Sequence, residues 1–309
     1  MTTRIGLVVH PQRALASALE TIRTWADRGG VDLVQVRTGG QGREVATPGD
    51  AADCDLVVAM GGDGTALAAL HAAAPAGRPV LGVACGSLGA LTATTAEELS
   101  DALERVAAGD WEARGLPALI ARTDGHEELM AVNDLVLVRA GAGQVAVEIE
   151  VNGQRFVRFA GDGLVTATPI GSSAYTLAAG GPMLAPGVDG LVLTPLAPHG
   201  GVCPPLVTST GTQVIVTLDA GNGGARVEVD GQVRRAAAAH SVAAFALDLR
   251  PDYVRLVSLG EQEPLIAGLR RRRILLDSPR VLARDDREAA AAARAAAASV
   301  RAAGPAIRS

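Results

Sequence analysis

Leu56-Val57-Val58-Ala59-Met60 is an apolar run that ends in Gly61-Gly62-Asp63-Gly64-Thr65, and a small-residue stretch, Ala66 to Ala74, follows it. The spacing predicts a strand, a glycine turn and a helix. A turn of that kind points backbone N–H groups at one spot, where the positive end of the helix dipole also lies. Gly61, Gly62 and Gly64 keep Cβ atoms away from that spot, and Thr65 adds a hydroxyl. The ligand suited to it is a phosphate. Asp63 is the discordant member, because a carboxylate beside phosphates repels them. It has a reason to be there as a ligand of a magnesium ion or as the acceptor of a hydroxyl proton. As a plain N-cap of the helix it needs no ligand at all.

A second constellation occupies residues 161–186. Asp162 lies between two glycines, a strand over Leu164–Thr168 meets Pro169, and Gly171-Ser172-Ser173-Ala174-Tyr175 leads into a short helix that Gly180-Gly181 ends. Hydroxyls and unpaired N–H groups at a helix start can hold a base edge, a ribose or a phosphate. Tyr175 is one of only two tyrosines and can stack on a ring. A packed helix capped by Ser172 or Ser173 is the alternative without a ligand.

Composition narrows the chemistry. The chain of 309 residues contains no lysine, so all 28 basic residues are arginine. That excludes a P-loop lysine, a protein-kinase lysine and any Schiff-base chemistry. A nucleotide site must then work through backbone N–H groups, arginine and metal. The net charge of -5 gives no footprint for nucleic acid. Cys54, Cys85 and Cys203 have no CxxC spacing and build no disulfide framework. Arg4 interrupts the first apolar run, and no later run has the length of a membrane span, which predicts a cytoplasmic protein with no membrane partner. His10, His71, His126 and His240 have no metal spacing, and the residue types point to no metal-ligand set in the chain itself.

The elements that must position these residues follow two rhythms. Up to about residue 112, apolar strands (Arg4–His10, Val31–Val36, Leu56–Met60, Pro79–Ala84) alternate with helices over Ala14–Asp27, Ala66–Ala74 and Thr95–Ala108. Gly39 to Pro48 reads as a loop, and Thr95 as the N-cap of its helix. This alternation predicts an α/β domain with an open, mostly parallel, Rossmann-like sheet, its ligand at the strands' C-terminal edge. Cys85-Gly86-Ser87-Leu88-Gly89 puts a second glycine turn at that edge. Residues 113–260 read as short strands with turns at Asn152-Gly153 and Asp230-Gly231, a β-rich domain of two sheets. Ser241–Leu249 and Tyr253–Ser258 count as separate strands in this reading. Residues 261–276 form a return segment, and 277–309 an Ala/Arg-rich tail, mobile or helical, with no catalytic duty.

Gly61-Gly62-Asp63-Gly64-Thr65, Asn133-Asp134, the 162–182 stretch and Leu193-Thr194-Pro195-Leu196-Ala197-Pro198-His199 occur in an order that resembles the NAD kinases, over roughly residues 4–275. The resemblance implies transfer of the γ-phosphate of ATP to the 2′-hydroxyl of the adenosine ribose of NAD or NADH, with magnesium or another divalent cation. It implies Asp63 as the base or orienting group and Gly61, Gly62, Gly64 and Thr65 as the phosphate loop. Asn133 and Asp134 would hold the adenine-ribose end, with Thr168 and Ser172 in the dinucleotide wall. Ser173, Ala174 and Tyr175 would line the adenine pocket. Asp162 would reach the dinucleotide across a subunit contact of a homodimer or homotetramer.

The chain departs from that pattern in the second glycine turn, where Ala84 replaces an asparagine and Ala90 a phenylalanine. Ser173 stands for a threonine, and Gly200-Gly201-Val202-Cys203-Pro204-Pro205 lacks an arginine, so another arginine must serve. Two other readings therefore stand beside the first: a kinase of the same fold acting on a different nucleoside or nucleotide hydroxyl, and a non-catalytic dinucleotide-binding regulator.

Overall fold

A computed structural model describes residues 2–38, 43–123, 125, 127–185, 187–260 and 264–302. Parallel strands β1 (Arg4–Val9), β2 (Asp32–Val36), β3 (Thr47–Gly49), β4 (Leu56–Gly61), β5 (Pro79–Ala84) and β6 (Thr94–Thr95) alternate with helices α1 (Ala16–Gly29), α2 (Asp63–Ala73) and α3 (Leu99–Ala108). The order β5-β4-β1-β2-β3 is the expected open α/β sheet. Its side chains alternate across the sheet, as strand geometry requires. Ile5, Leu7, Leu56, Val58, Met60, Leu81 and Val83 face α1 and α3; Val8, Val57, Ala59 and Val80 face α2. Gly30 takes the left-handed conformation that closes α1, the role its glycine pair predicts.

Three local readings shift. The span expected as a loop holds strand β3, which pairs with β2, although residues 39–42 of it lie outside the described residues. Helix α2 begins at Asp63, three residues before the apolar periodicity starts. Helix α3 begins at Leu99, and the Thr95 hydroxyl accepts the Glu98 N–H at 3.3 Å one turn ahead of it.

The later strands are β7 (Glu112–Thr123), β8 (Glu128–Ala131), β9 (Asp134–Arg139), β10 (Val145–Val151), β11 (Gln154–Gly161) and β12 (Gly163–Ala167). One-turn helix α4 (Tyr175–Ala178) separates them from β13 (Gly190–Leu196), β14 (Leu206–Ser209), β15 (Val214–Asp219), β16 (Ala225–Val229), β17 (Gln232–Ala237) and β18 (Val242–Ser258). One sheet, β14-β13-β12-β9-β16-β17, is antiparallel. It packs on β11-β10-β15-β18 around Phe245, Leu247, Leu137, Val147 and Val216. The two-sheet reading holds, with one addition: the second sheet is continuous with the parallel one.

The two strands expected at 241–258 are one strand of 17 residues, β18. Its first half pairs with β15, and Arg255 and Leu256 run parallel to Pro79 and Val80 of β5. Between Arg250 and Val254 the register against β7 shifts, with Asp252 at φ 49° over Gly115. Pro251 lies in that bulge, which is where a strand interior tolerates proline. Residues up to 262 form one compact unit, and Glu263–Ser309 another. In the latter, α5 (Leu265–Arg271) and α6 (Pro279–Ala302) are helical, Arg270 pairs with Asp277 at 2.6 Å, and Gly304-Pro305 lie outside the described residues. Among the described residues no helix is long and apolar enough to cross a membrane.

Gly82 in β5 lets the second glycine turn lie flat on the strand, since a Cβ there would stand 2.0 Å from the Leu91 carbonyl oxygen. Gly82→Ala is expected to cost about 1–3 kcal/mol through overpacking, read as a lowered urea midpoint at an unchanged m-value.

Candidate active site

Strand β4 ends and α2 starts within the Gly61–Thr65 motif, at the C-terminal edge of the parallel strands. Packing forces the small residues. A Cβ on Gly61 would stand 2.2 Å from the Thr65 hydroxyl oxygen, whereas a Cβ on Gly64 would meet nothing within 4 Å. Gly61 is therefore needed by the turn, and Gly64 keeps open the space in front of the helix.

Asp63 is not the N-cap. Gly62 holds that position with no side-chain cap. The Asp63 carboxylate reaches across to the second glycine turn and accepts the N–H groups of Ala90 at 3.0 Å and Leu91 at 2.9 Å. A Cβ on Gly89 would lie 2.0 Å from that carboxylate, so the turn closes on Asp63 with glycine at the point of contact. The two glycine turns are thereby one site.

Arg13 joins them from the other side. The guanidinium donates to the Gly61 carbonyl at 3.3 Å and the Cys85 carbonyl at 2.9 Å. Its loop is set by the ring of His10, whose Nδ1 accepts the N–H groups of Gln12 and Arg13. A cleft of about 620 Å³ opens over Gly62, Asp63, Gly64 and Thr65, and Arg13, Arg37, Arg234, His71 and Asp230 also line it. The sequence places none of these five at the site: it predicts Asp230 only as a hairpin turn and His71 only as an ordinary histidine. Arg13 was legible in principle, since it lies just past β1 at the same edge of the sheet as both glycine turns.

Asn133 and Asp134 sit at the start of β9, in a turn held on both sides. Asp230 accepts the N–H groups of Val132, Asn133 and Asp134. Thr168 answers from just past the end of β12: its hydroxyl donates to the Val132 carbonyl at 2.6 Å and its N–H to the Asn133 carbonyl at 2.9 Å. A Cβ on Gly171 would stand 1.9 Å from the Asn133 carbonyl oxygen, so the hydroxyl-rich turn leans directly on the asparagine. Asp134 is buried, and that burial, with Asp230 and Glu228 nearby, pushes its pKa up to about 7.

The remaining expected residues divide. Thr168 and Ser172 are fully buried with their hydroxyls on the backbone, that of Ser172 donating to the Pro169 carbonyl and accepting the Leu184 N–H. The Ser173 hydroxyl donates to the Ile170 carbonyl, and Ala174 and Tyr175 stand exposed at the start of α4. Asp162 is not brought to this edge. It pairs with Arg139 at 2.6 Å at the far end of β12, about 15–20 Å of strand rise from Thr168. His199 contacts Gln144 and bridges Ala160, a structural hydrogen-bonding role. Among the described residues no group of three or more His, Cys, Asp or Glu could hold a metal ion.

Comparison with known proteins places the chain among relatives of the same fold. The ATP-NAD kinase N-terminal domain model matches residues 7–111, and the ATP-NAD kinase C-terminal domain model residues 132–245. The NAD kinase of Citrifermentans bemidjiense is 36% identical over 237 residues, covering 73% of this chain and 82% of the relative. That of Geobacter sp. strain M21 is 35% identical over the same shares. Among solved structures, yeast NADH kinase complexed with NADH matches with a TM-score of 0.69 at 21% identity, over 87% of this chain and 86% of that one. An Archaeoglobus fulgidus NAD kinase in complex with ATP gives 0.66 at 21% identity, over 89% and 100%. Both domain models match in order and relatives above 30% identity are covered over most of their length, so this chain belongs to the NAD kinase family.

Proposed function

We propose that this chain transfers the γ-phosphate of ATP to the 2′-hydroxyl of the adenosine ribose of NAD or NADH, giving NADP or NADPH. The observation that carries the reading is the placement of Asp63: a carboxylate fixed by two backbone N–H groups at the mouth of a phosphate-suited helix start, in a cleft with three arginines. Phosphoryl transfer needs positioning and charge neutralisation more than covalent chemistry from the protein. The ribose oxygen forms a bond to the γ-phosphorus, the bridging bond to ADP breaks, and the hydroxyl proton passes toward the Asp63 carboxylate. Arg13, Arg37 and Arg234 and the N–H groups of the first turn of α2 offset the phosphate charge. In a chain without lysine these arginines supply what the Gly200–Pro205 segment lacks.

Asn133 and Asp134 take the ribose end of the dinucleotide, and the exposed Tyr175 and Ala174 with Ser173 cover the adenine. Thr168 and Ser172 act through the backbone they hold. Residues 1–112 thus bring the phosphate loop and 113–260 the dinucleotide wall, while 261–276 and 277–309 stay outside the reaction. Asp162 serves a neighbouring subunit of a homodimer or homotetramer, which accounts for its distance from the cleft. A divalent cation such as magnesium would be held by the Asp63 carboxylate together with the substrate phosphates, since among the described residues no group of three or more His, Cys, Asp or Glu could cage it. That ion supplies charge neutralisation on the phosphates.

A specific observation keeps a second acceptor in play. Ala90 is exposed, and its N–H is bonded to the Asp63 carboxylate, so the missing aromatic ring leaves room beside the reacting hydroxyl.

With NAD, ATP and magnesium the protein is expected to form NADP, detected with an NADP-specific dehydrogenase. A panel of NAD, NADH and other nucleosides and nucleotides with labelled ATP identifies the acceptor; label on another hydroxyl and none on NAD(H) sinks the assignment. Asp63→Asn is expected to lower kcat by at least about a thousandfold while the far-ultraviolet spectrum is unchanged. Gly64→Ala has steric room and adds helix propensity, so its melting temperature should hold or rise while KM for ATP increases about tenfold. A KM for ATP unchanged in that variant would move the phosphates elsewhere.

Asp134 also makes stability pH-dependent. Folded, it keeps its proton up to about pH 7, against an ordinary carboxyl value of 3.8. Over that window the folded state binds more protons, so this contribution to stability is largest at low pH and is lost as pH rises through about 7. Asp134→Asn abolishes it, and the melting-temperature advantage of the variant over wild type should widen from pH 5 to pH 8.

A further inference from the structure

Asp230 opens the β16–β17 hairpin, at φ 49° with Gly231 at 74°. A two-residue turn of that kind needs residues tolerant of positive φ, and asparagine serves as well as aspartate. The chain shows this itself at Asn152-Gly153, where the asparagine side chain accepts one N–H of the adjoining strand. A carboxylate at 230 is therefore more than the hairpin requires. Its side chain is only 2% exposed, and it raises the cost of ionising Asp134 next to it. A fold does not retain a second buried carboxylate beside the first without something in return.

What the carboxylate does is specific. Its Oδ1 accepts the Asn133 N–H at 2.7 Å and the Asp134 N–H at 3.1 Å. Its Oδ2 accepts the Val132 N–H at 2.9 Å and meets His71 Nε2 at 2.6 Å. His71 belongs to α2, the helix that begins with Asp63. Opposite, Thr168 holds the carbonyls of Val132 and Asn133. The turn carrying Asn133 and Asp134 is thus gripped by donors on one side and an acceptor on the other, and the acceptor is tied to the phosphate-loop helix.

We propose that Asp230 is a positioning residue for the dinucleotide: with His71 it fixes the Asn133–Asp134 turn relative to α2, and so sets the ribose held by that turn against Asp63. The proposal rests on the assignment of Asn133 and Asp134 to the dinucleotide, and it adds a residue that acts through the turn it holds.

Amide hydrogen exchange at Val132, Asn133 and Asp134 tests it without turnover, and steady-state kinetics tests its consequence. Asp230→Asn is expected to speed exchange at these amides at least tenfold and to raise KM for NAD about tenfold, with KM for ATP within about twofold. His71→Leu, which removes the tie and keeps the carboxylate, is expected to raise KM for NAD at least threefold, and His71→Gln, which keeps a donor, to restore it to within twofold of wild type. If Asp230→Asn does not fold, the two His71 variants carry the test alone. Unchanged exchange at the three amides, or KM for NAD and for ATP rising together in His71→Leu with no rescue by glutamine, overturns the proposal. If the wild type makes no NADP, the catalytic reading fails; the positioning role then stands only if the affinity for NAD, read by calorimetry, falls at least threefold in His71→Leu and returns in His71→Gln.

Discussion

Tight turns leave backbone N–H groups that their own ladder cannot satisfy, and a buried N–H without a partner is costly. In this chain two carboxylates that line the cleft meet that demand at two turns beside it. Asp63 holds Ala90 and Leu91; Asp230 holds Val132, Asn133 and Asp134. Each carboxylate lies on a different element from the turn it holds. The hydrogen bonds therefore fix the position of one element against another, as well as the shape of a loop. The glycines follow from the same constraint, since Gly89 and Gly171 stand where any side chain would collide with the partner of the contact.

The sheet underneath makes such cross-element contacts reproducible. Strand β18 contributes Phe245 and Leu247 to the core between the two sheets, and Val254 and Leu256 to the core under α2. Leu116 of β7 and Val132 also pack into that second core. The cleft that α2 shares with the Asp230 hairpin is thus built on one continuous floor, and the Arg250–Val254 bulge supplies the bend within it.

Much of this was legible in the residues. The strands from Arg4 to Ala84, β3 excepted, and most of the short strands beyond them follow from apolar runs and turn signals, because propensity and burial agree there. The Asn152-Gly153 and Asp230-Gly231 turns were legible for the same reason. The failures are places where a tertiary partner overrides a local signal. Pro251-Asp252 reads as a strand end, but β7 pairs on both sides of it. A cap is one of the readings the sequence leaves open for Asp63, but the partners of its carboxylate are 27 and 28 residues away. Asp230 was assigned to a hairpin, which it does form; nothing local reveals that its carboxylate is used 96–98 residues earlier in the chain. Arg13 lacked a motif, and only the order of strands in the sheet puts it over the glycines.

The shared strand has a consequence for how the chain divides. The N-terminal family match ends at residue 111 and the C-terminal one begins at 132, yet the edge of β5 is covered by Arg255 and Leu256, which lie beyond both matched regions. A fragment cut at that seam would carry an uncovered parallel edge at Pro79 and Val80, the kind of edge that recruits other chains. The seam separates two matched regions, but the molecule is woven across it, and its halves become independent only by unravelling the strand that joins them.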